Sequence, residues 1–130
     1  MTIGPFVTIE ANTVIGDRCV LDQGCMIRSG ARIGSDCHIH PYAVIAGIPQ
    51  DLKFKGEETT AVIGDHTTIR EFATVNRGTA SRGTTVIGSN CLIMAYSHVA
   101  HDCILKDHII LGNATQLAGE VEIDDYAILS

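Results

Sequence analysis

Tryptophan is absent from the 130 residues, and three Tyr and three Phe are the only aromatic rings. So few flat rings leave little for stacking bases and make a poor stock for an ordinary packed core. Long apolar runs are missing too. Nothing approaches the ~20 consecutive apolar residues of a membrane-spanning helix, and the opening MTIGPF has no basic stretch ahead of a hydrophobic one. Cations are scarce, nine Lys and Arg against fifteen Asp and Glu, for a formal net charge of −6. An acidic chain without a Lys/Arg cluster argues against nucleic acid and against anionic membranes. The expectation is a soluble, cytoplasmic globular domain that binds no nucleic acid and inserts into no membrane. Against these shortages stand 13 Gly and 45% hydrophobic residues, and their order explains the chain.

Stepping by six from Ile3 to Leu129 visits 22 positions, of which 19 are Ile, Leu or Val. A random frame would meet about 6. Four residues after each lies a second class, Val7 to Ala127, in which 18 of 21 positions are Ala, Ser, Thr, Cys or Val. Gly often follows the aliphatic residue, as in Ile3-Gly4, Ile15-Gly16 and Ile33-Gly34. This is the hexapeptide repeat of a parallel β-helix, an all-β solenoid in the form of a triangular prism. A short strand points its aliphatic residue and the small residue two before it inward, and a polar pair then turns the corner. Three strands close one coil of 18 residues, so residues 18 apart stack at the ~4.8 Å spacing of paired strands. The interior is too narrow for aromatics, which accounts for their scarcity.

All five cysteines, Cys19, Cys25, Cys37, Cys91 and Cys103, fall in the small inward class. With no Cys-x-x-Cys pair and a reducing compartment expected, they read as buried small hydrophobes rather than as disulfides, metal ligands or nucleophiles. The frame breaks over 46–61 and 76–85, where Asp51, Glu57 and Ser81 stand at core positions. Both segments are expected to leave the prism as loops, which commonly carry function on a rigid scaffold. Ser130 follows a core Leu with no capping repeat, an end expected to continue into further chain.

Three of the six His fall in MAYSHVAHDCILKDH. His98 should point out from a flat face, whereas His101 and Asp102 should sit at a corner, fully outside the prism. Asp17, Ser35, Asp65, Asp107 and Asp125 occupy the same position as His101 in other repeats, so a solvated corner is one reading of it. The other comes from stacking: Gly119 lies 18 residues after His101, and Glu120 18 after Asp102. An imidazole beside an unobstructed backbone N–H supplies a base and an oxyanion donor, a pair suited to acyl transfer. Gly119 also reads simply as a corner that needs positive φ. No Gly-x-Ser-x-Gly elbow occurs and the thiols face inward, so direct attack by an acceptor hydroxyl is expected, without an acyl-enzyme.

IGPF at the start, QDLKFKGE in the first loop, IREFATVNRGT entering the second, MAYSHVAHDC and ATQLAGEVEIDDYAI together resemble a known family. It is the acyl-carrier-protein-dependent UDP-N-acetylglucosamine O-acyltransferases of lipid A biosynthesis, and the likeness is to their N-terminal hexapeptide-repeat half. The resemblance implies a left-handed coil, against the usual right-handed crossover. It implies a homotrimer with sites between prisms, and transfer of an (R)-3-hydroxyacyl group from acyl carrier protein to the 3-hydroxyl of UDP-N-acetylglucosamine. It implies no cofactor and no metal. By motif, His101 is the general base, Asp102 orients or tunes a catalytic imidazole, and Gly119 donates its N–H to the oxyanion. Gln50, Asp51, Lys53 and His98 are substrate contacts. Asn76 and Glu120 stand where the family often has His, so the substrate contacts there differ. A C-terminal helical region is implied beyond Ser130.

Five of the nine cations, Lys53, Lys55, Arg70, Arg77 and Arg82, form a candidate patch for an acidic carrier protein. Three other readings stand beside the O-acyltransferase. One is the sister N-acyltransferase of the same pathway. Another is a zinc-dependent carbonic anhydrase-like trimer using His66, His98 and His101, and the third is a non-catalytic structural solenoid.

Overall fold

The computed structural model describes all 130 residues. Nineteen short strands run from Thr2–Ile3 (β1) to Ile128–Leu129 (β19), and every third strand joins the same sheet. The result is three parallel sheets of seven, six and six strands wrapped into a left-handed parallel β-helix. There is no helix long and apolar enough to cross a membrane.

Each aliphatic position of the six-residue frame points inward and stacks on its counterpart in the next coil. Leu21, Ile39, Ile69, Ile93 and Leu111 make one such column, all fully buried. Val20 pairs with His38, 18 residues on. The step is 30 across the first insertion, where His38 faces Thr68, and 24 across the second, where Thr68 faces Leu92. The insertions thus add 12 and 6 residues, whole multiples of the repeat, and the frame resumes after each for that reason. Their strands extend further than the sequence frame suggests. Val44–Gly47 (β8) and Thr60–Ile63 (β9) bound a loop over 48–59, and Thr74–Asn76 (β11) and Thr84–Ile87 (β12) bound one over 77–83.

Most corners turn through a residue with φ near +60°, among them Phe6, Arg18, Tyr42, Asp102 and Glu120. The aromatics excluded from the interior sit here, and Tyr42, Phe72 and Tyr96 stack along one edge with centroids 5.5 and 5.2 Å apart. A second edge is a ladder of caps. Ser35, Asp65, Ser89, Asp107 and Asp125 each accept the corner N–H of the coil before, at 2.8–3.1 Å.

All five cysteines are buried and free. Cys19 and Cys37 each donate to a carbonyl of the adjacent coil at 3.0 Å, and Cys103 does so at 3.1 Å. Burial pushes the Cys25 and Cys37 thiols up to about 11, Asp22 adding to the effect at Cys25. Thiolate is the reactive form, so a native sample is expected to show no fast-reacting thiol toward a disulfide reagent. Denatured protein should titrate all five, and a rapid native phase would contradict the inward packing.

Candidate active site

Both loops leave the prism at one corner, between the sheet that holds β8 and β11 and the sheet that holds β9 and β12. One coil further along that corner the chain turns from His98–Val99 (β14) to Ile104–Leu105 (β15), and His101 and Asp102 form the turn. The loop over 77–83 folds down upon them.

That contact buries Asp102, which was expected to stand fully outside the prism at the corner: its side chain is 0% exposed. Its carboxylate accepts from the Thr79 hydroxyl and from two backbone amides, Thr79 at 3.0 Å and Arg82 at 3.2 Å. Its own N–H donates to Thr85 Oγ1 at 2.8 Å. Burial pushes the Asp102 carboxyl upward, but the Thr79 and His101 hydrogen bonds outweigh it and hold the group below its ordinary value. Asp102 is therefore an anion at neutral pH. The two adjacent corner residues meet: His101 Nδ1 lies 2.8 Å from Asp102 Oδ2. Left-handed φ at Asp102, +62°, turns its side chain back toward its neighbour. Because the carboxylate can only accept, Nδ1 carries the proton and Nε2 keeps its lone pair free.

Gly119 follows the strand Gln116–Leu117 (β17) and stacks on His101. A Cβ there would lie 2.5 Å from Nε2. Its φ is not positive, contrary to the corner reading; the left-handed residue is Glu120, at +64°. The imidazole, not the turn, requires glycine here.

His101, with 18% of its side chain exposed, stands between two cavities. The larger, about 450 Å³, is lined by Gln50, Thr74, Asn76, Tyr96, His98 and Gln116 among others. The smaller, about 190 Å³, has Asp51, Lys53, Thr79, Ser81 and Glu120 in its walls. The candidate substrate contacts thus divide: Gln50, Asn76 and His98 on one side, Asp51, Lys53 and Glu120 on the other. His98 Nδ1 meets Thr74 Oγ1 at 2.7 Å, and burial, then the charge of His101, lowers its pKa, keeping the ring neutral. Asn76 is buried with its Nδ2 unpartnered. Glu120 accepts from the Ser81 hydroxyl, and Arg82 pairs with Glu122 at 3.2 Å, so the second loop is tied to the following coil as well.

Sequence reasoning missed Thr79 and Thr74. Thr79 keeps the repeat's small-residue register, but it belongs to the loop and serves the carboxylate instead of the interior. Thr74 opposes His98 at a separation of 24, visible only once the insertion length is known. The basic patch is smaller in the folded chain than in the sequence. Arg70 pairs with Glu71 at 2.8 Å, Arg82 with Glu122, and Arg77 lies over the Phe54 ring, leaving Lys53 and Lys55 without an ion pair. His66 faces Asp36 at 3.9 Å on the capped edge, so within one chain it does not converge with His98 and His101.

Residues 12–47 and 84–119 match the family profile described as bacterial transferase hexapeptide (six repeats). The chain is 43% identical over 129 residues to an acyl-[acyl-carrier-protein]–UDP-N-acetylglucosamine O-acyltransferase of Campylobacter concisus, covering 98% of this chain and 49% of that protein. Among solved structures, a UDP-N-acetylglucosamine acyltransferase from Bacteroides fragilis superposes with a TM-score of 0.77 at 43% identity, covering 95% of this chain and 56% of that one. One from Campylobacter jejuni gives 0.80 at 39%, covering 98% and 57%. The chain spans about half the length of the curated relatives it matches. In repeat and fold the chain belongs to the bacterial hexapeptide transferases, and along nearly its whole length it is similar to UDP-N-acetylglucosamine O-acyltransferases.

Proposed function

We propose that this chain carries the base and the oxyanion donor of an acyltransferase acting in lipid A biosynthesis. The enzyme moves an (R)-3-hydroxyacyl group from acyl carrier protein to the 3-hydroxyl of UDP-N-acetylglucosamine. The observation that carries the reading is His101, pinned through Nδ1 by the buried Asp102, with Nε2 packed against Gly119, where a Cβ would lie 2.5 Å from it. The names of the relatives supply the substrates.

In this mechanism Nε2 of His101 takes the proton of the sugar hydroxyl as its oxygen attacks the thioester carbonyl carbon. The C–O bond forms, and the carbonyl oxygen becomes an oxyanion that accepts from the Gly119 N–H. Asp102 stabilises the imidazolium, as a buried anion paired to Nδ1 does. Collapse breaks the C–S bond, and the carrier thiolate leaves with the proton held on Nε2. No cofactor takes part. Thr79 and the two loop amides act through Asp102 by keeping it ionised and oriented.

Both cavities are open on the outer side of the prism, which suits a wall from a neighbouring prism in a homotrimer. Lys53 and Lys55, free of ion pairs, are the cations best placed for an acidic carrier. The test is the intact gene product with 3-hydroxyacyl-carrier protein and UDP-N-acetylglucosamine, read by mass spectrometry. An ester at the sugar hydroxyl is the expected product. No transfer, or transfer only to an aminosugar to give an amide, would overturn the reading.

A further inference from the structure

On another edge of the prism, away from the two loops, three potential metal donors converge. His38 and His40 flank Ile39, whose side chain fills the interior, so both imidazoles project outward from the same strand end. Asp22 follows Leu21, which pairs with Ile39 in the adjacent coil, so Asp22 stacks under His40. The two rings lie 3.8 Å apart and 14° from parallel, and His38 Nε2 is 3.3 Å from Asp22 Oδ2. One donor atom from each of the three residues lies within 4.8 Å of the others, and all three side chains are half-buried.

We propose that Asp22, His38 and His40 bind a divalent transition-metal ion, with zinc the natural occupant. Zinc takes imidazole nitrogen and carboxylate oxygen at about 2.0–2.2 Å, which puts neighbouring tetrahedral ligands about 3.3 Å apart. His38 and Asp22 already stand at that separation, and a rotation of the His40 ring closes the third contact. Two nitrogens and one carboxylate suit zinc over magnesium, which prefers oxygen and retains its waters. Glu71 Oε1, 4.0 Å from His40 Nδ1, is placed to orient that ring, and Arg70 beside it is neutralised by the same carboxylate. With three protein ligands, the fourth position is left to water or to an exogenous ligand. The ligands come from two successive coils held in fixed register by paired strands, so the ion acts as a cross-coil staple. The inference does not depend on the catalytic reading, since none of these residues belongs to the catalytic corner.

The experiment is calorimetric titration of the purified protein with Zn²⁺ and separately with Mg²⁺, together with melting temperature in each ion. One zinc per chain is expected, with a raised melting temperature, and no response to magnesium. His38→Gln and His40→Gln should each weaken zinc at least tenfold, about 1.4 kcal/mol, and abolish the thermal shift. Asp22→Asn, a nearly isosteric change at a half-buried position, gives the same test should either His variant fold poorly, and His66→Gln should leave zinc binding unchanged. Absence of stoichiometric zinc, or zinc binding that survives the substitutions at Asp22, His38 and His40, would overturn the site.

Discussion

Alanine in place of His101 is expected to lower kcat for acyl transfer by about 10²–10⁴-fold, the range for losing a positioned general base. The fold should survive. Asp102 would lose one hydrogen bond but keep the Thr79 hydroxyl and the Thr79 and Arg82 amides, so its buried charge remains satisfied. The signature is therefore a large loss of turnover in a protein with a near-normal melting temperature and an unchanged elution volume. A variant that turns over at the parent rate would remove His101 from the chemistry. If the variant is inactive because it no longer folds, Asp102 alone cannot hold the corner, which the three remaining bonds argue against.

A second large effect should come from a single methyl group. Gly119→Ala places a Cβ against Cε1 and Nε2 of His101, so the ring must leave its position over the reacting hydroxyl. Misplacing a reacting group by about 1 Å costs on the order of 10²-fold in rate. Backbone strain does not enter, because φ at Gly119 is ordinary, and stability should change little. The double variant His101→Ala/Gly119→Ala separates the two ways a methyl could act. If the methyl works by displacing the imidazole, it should add little loss once the imidazole is gone, a strong departure from additivity. Full additivity would mean that Gly119 matters independently of the ring, and unchanged activity in the single variant would sink the stacking argument.

The scaffold was legible because its physics is periodic. One column of aliphatic side chains every six residues, with Ala, Ser, Thr or Cys two before each, is enough to place the interior, the inward cysteines and the 18-residue stacking that sets Gly119 against His101. What the chain does at Asp102 was not legible. Burial of that carboxylate is produced by a loop some twenty residues earlier that folds back over the corner; the broken frame marks where the loop leaves, but no periodic rule says onto what it folds. Nor could the frame show which of two adjacent corner residues takes left-handed φ, so the glycine was assigned a conformational role that Glu120 fills. The Asp22, His38 and His40 cluster was within reach of sequence arithmetic. His-Ile-His places two imidazoles on one side of a strand, and Asp22 lies one coil below His40.

One residue added within a strand would shift each later side chain out of its column and turn core residues to the surface. The corner between β8 and β9 and between β11 and β12 is where this chain carries its extra residues. Chain that leaves and returns there can grow or shrink without disturbing the columns, and it does so twice, by 12 and by 6 residues. Insertions are therefore accommodated at a corner that borders His101. Variation in loop length at this corner can remodel the two cavities and change what fits them while the base, its carboxylate and the amide facing it stay on an unaltered frame.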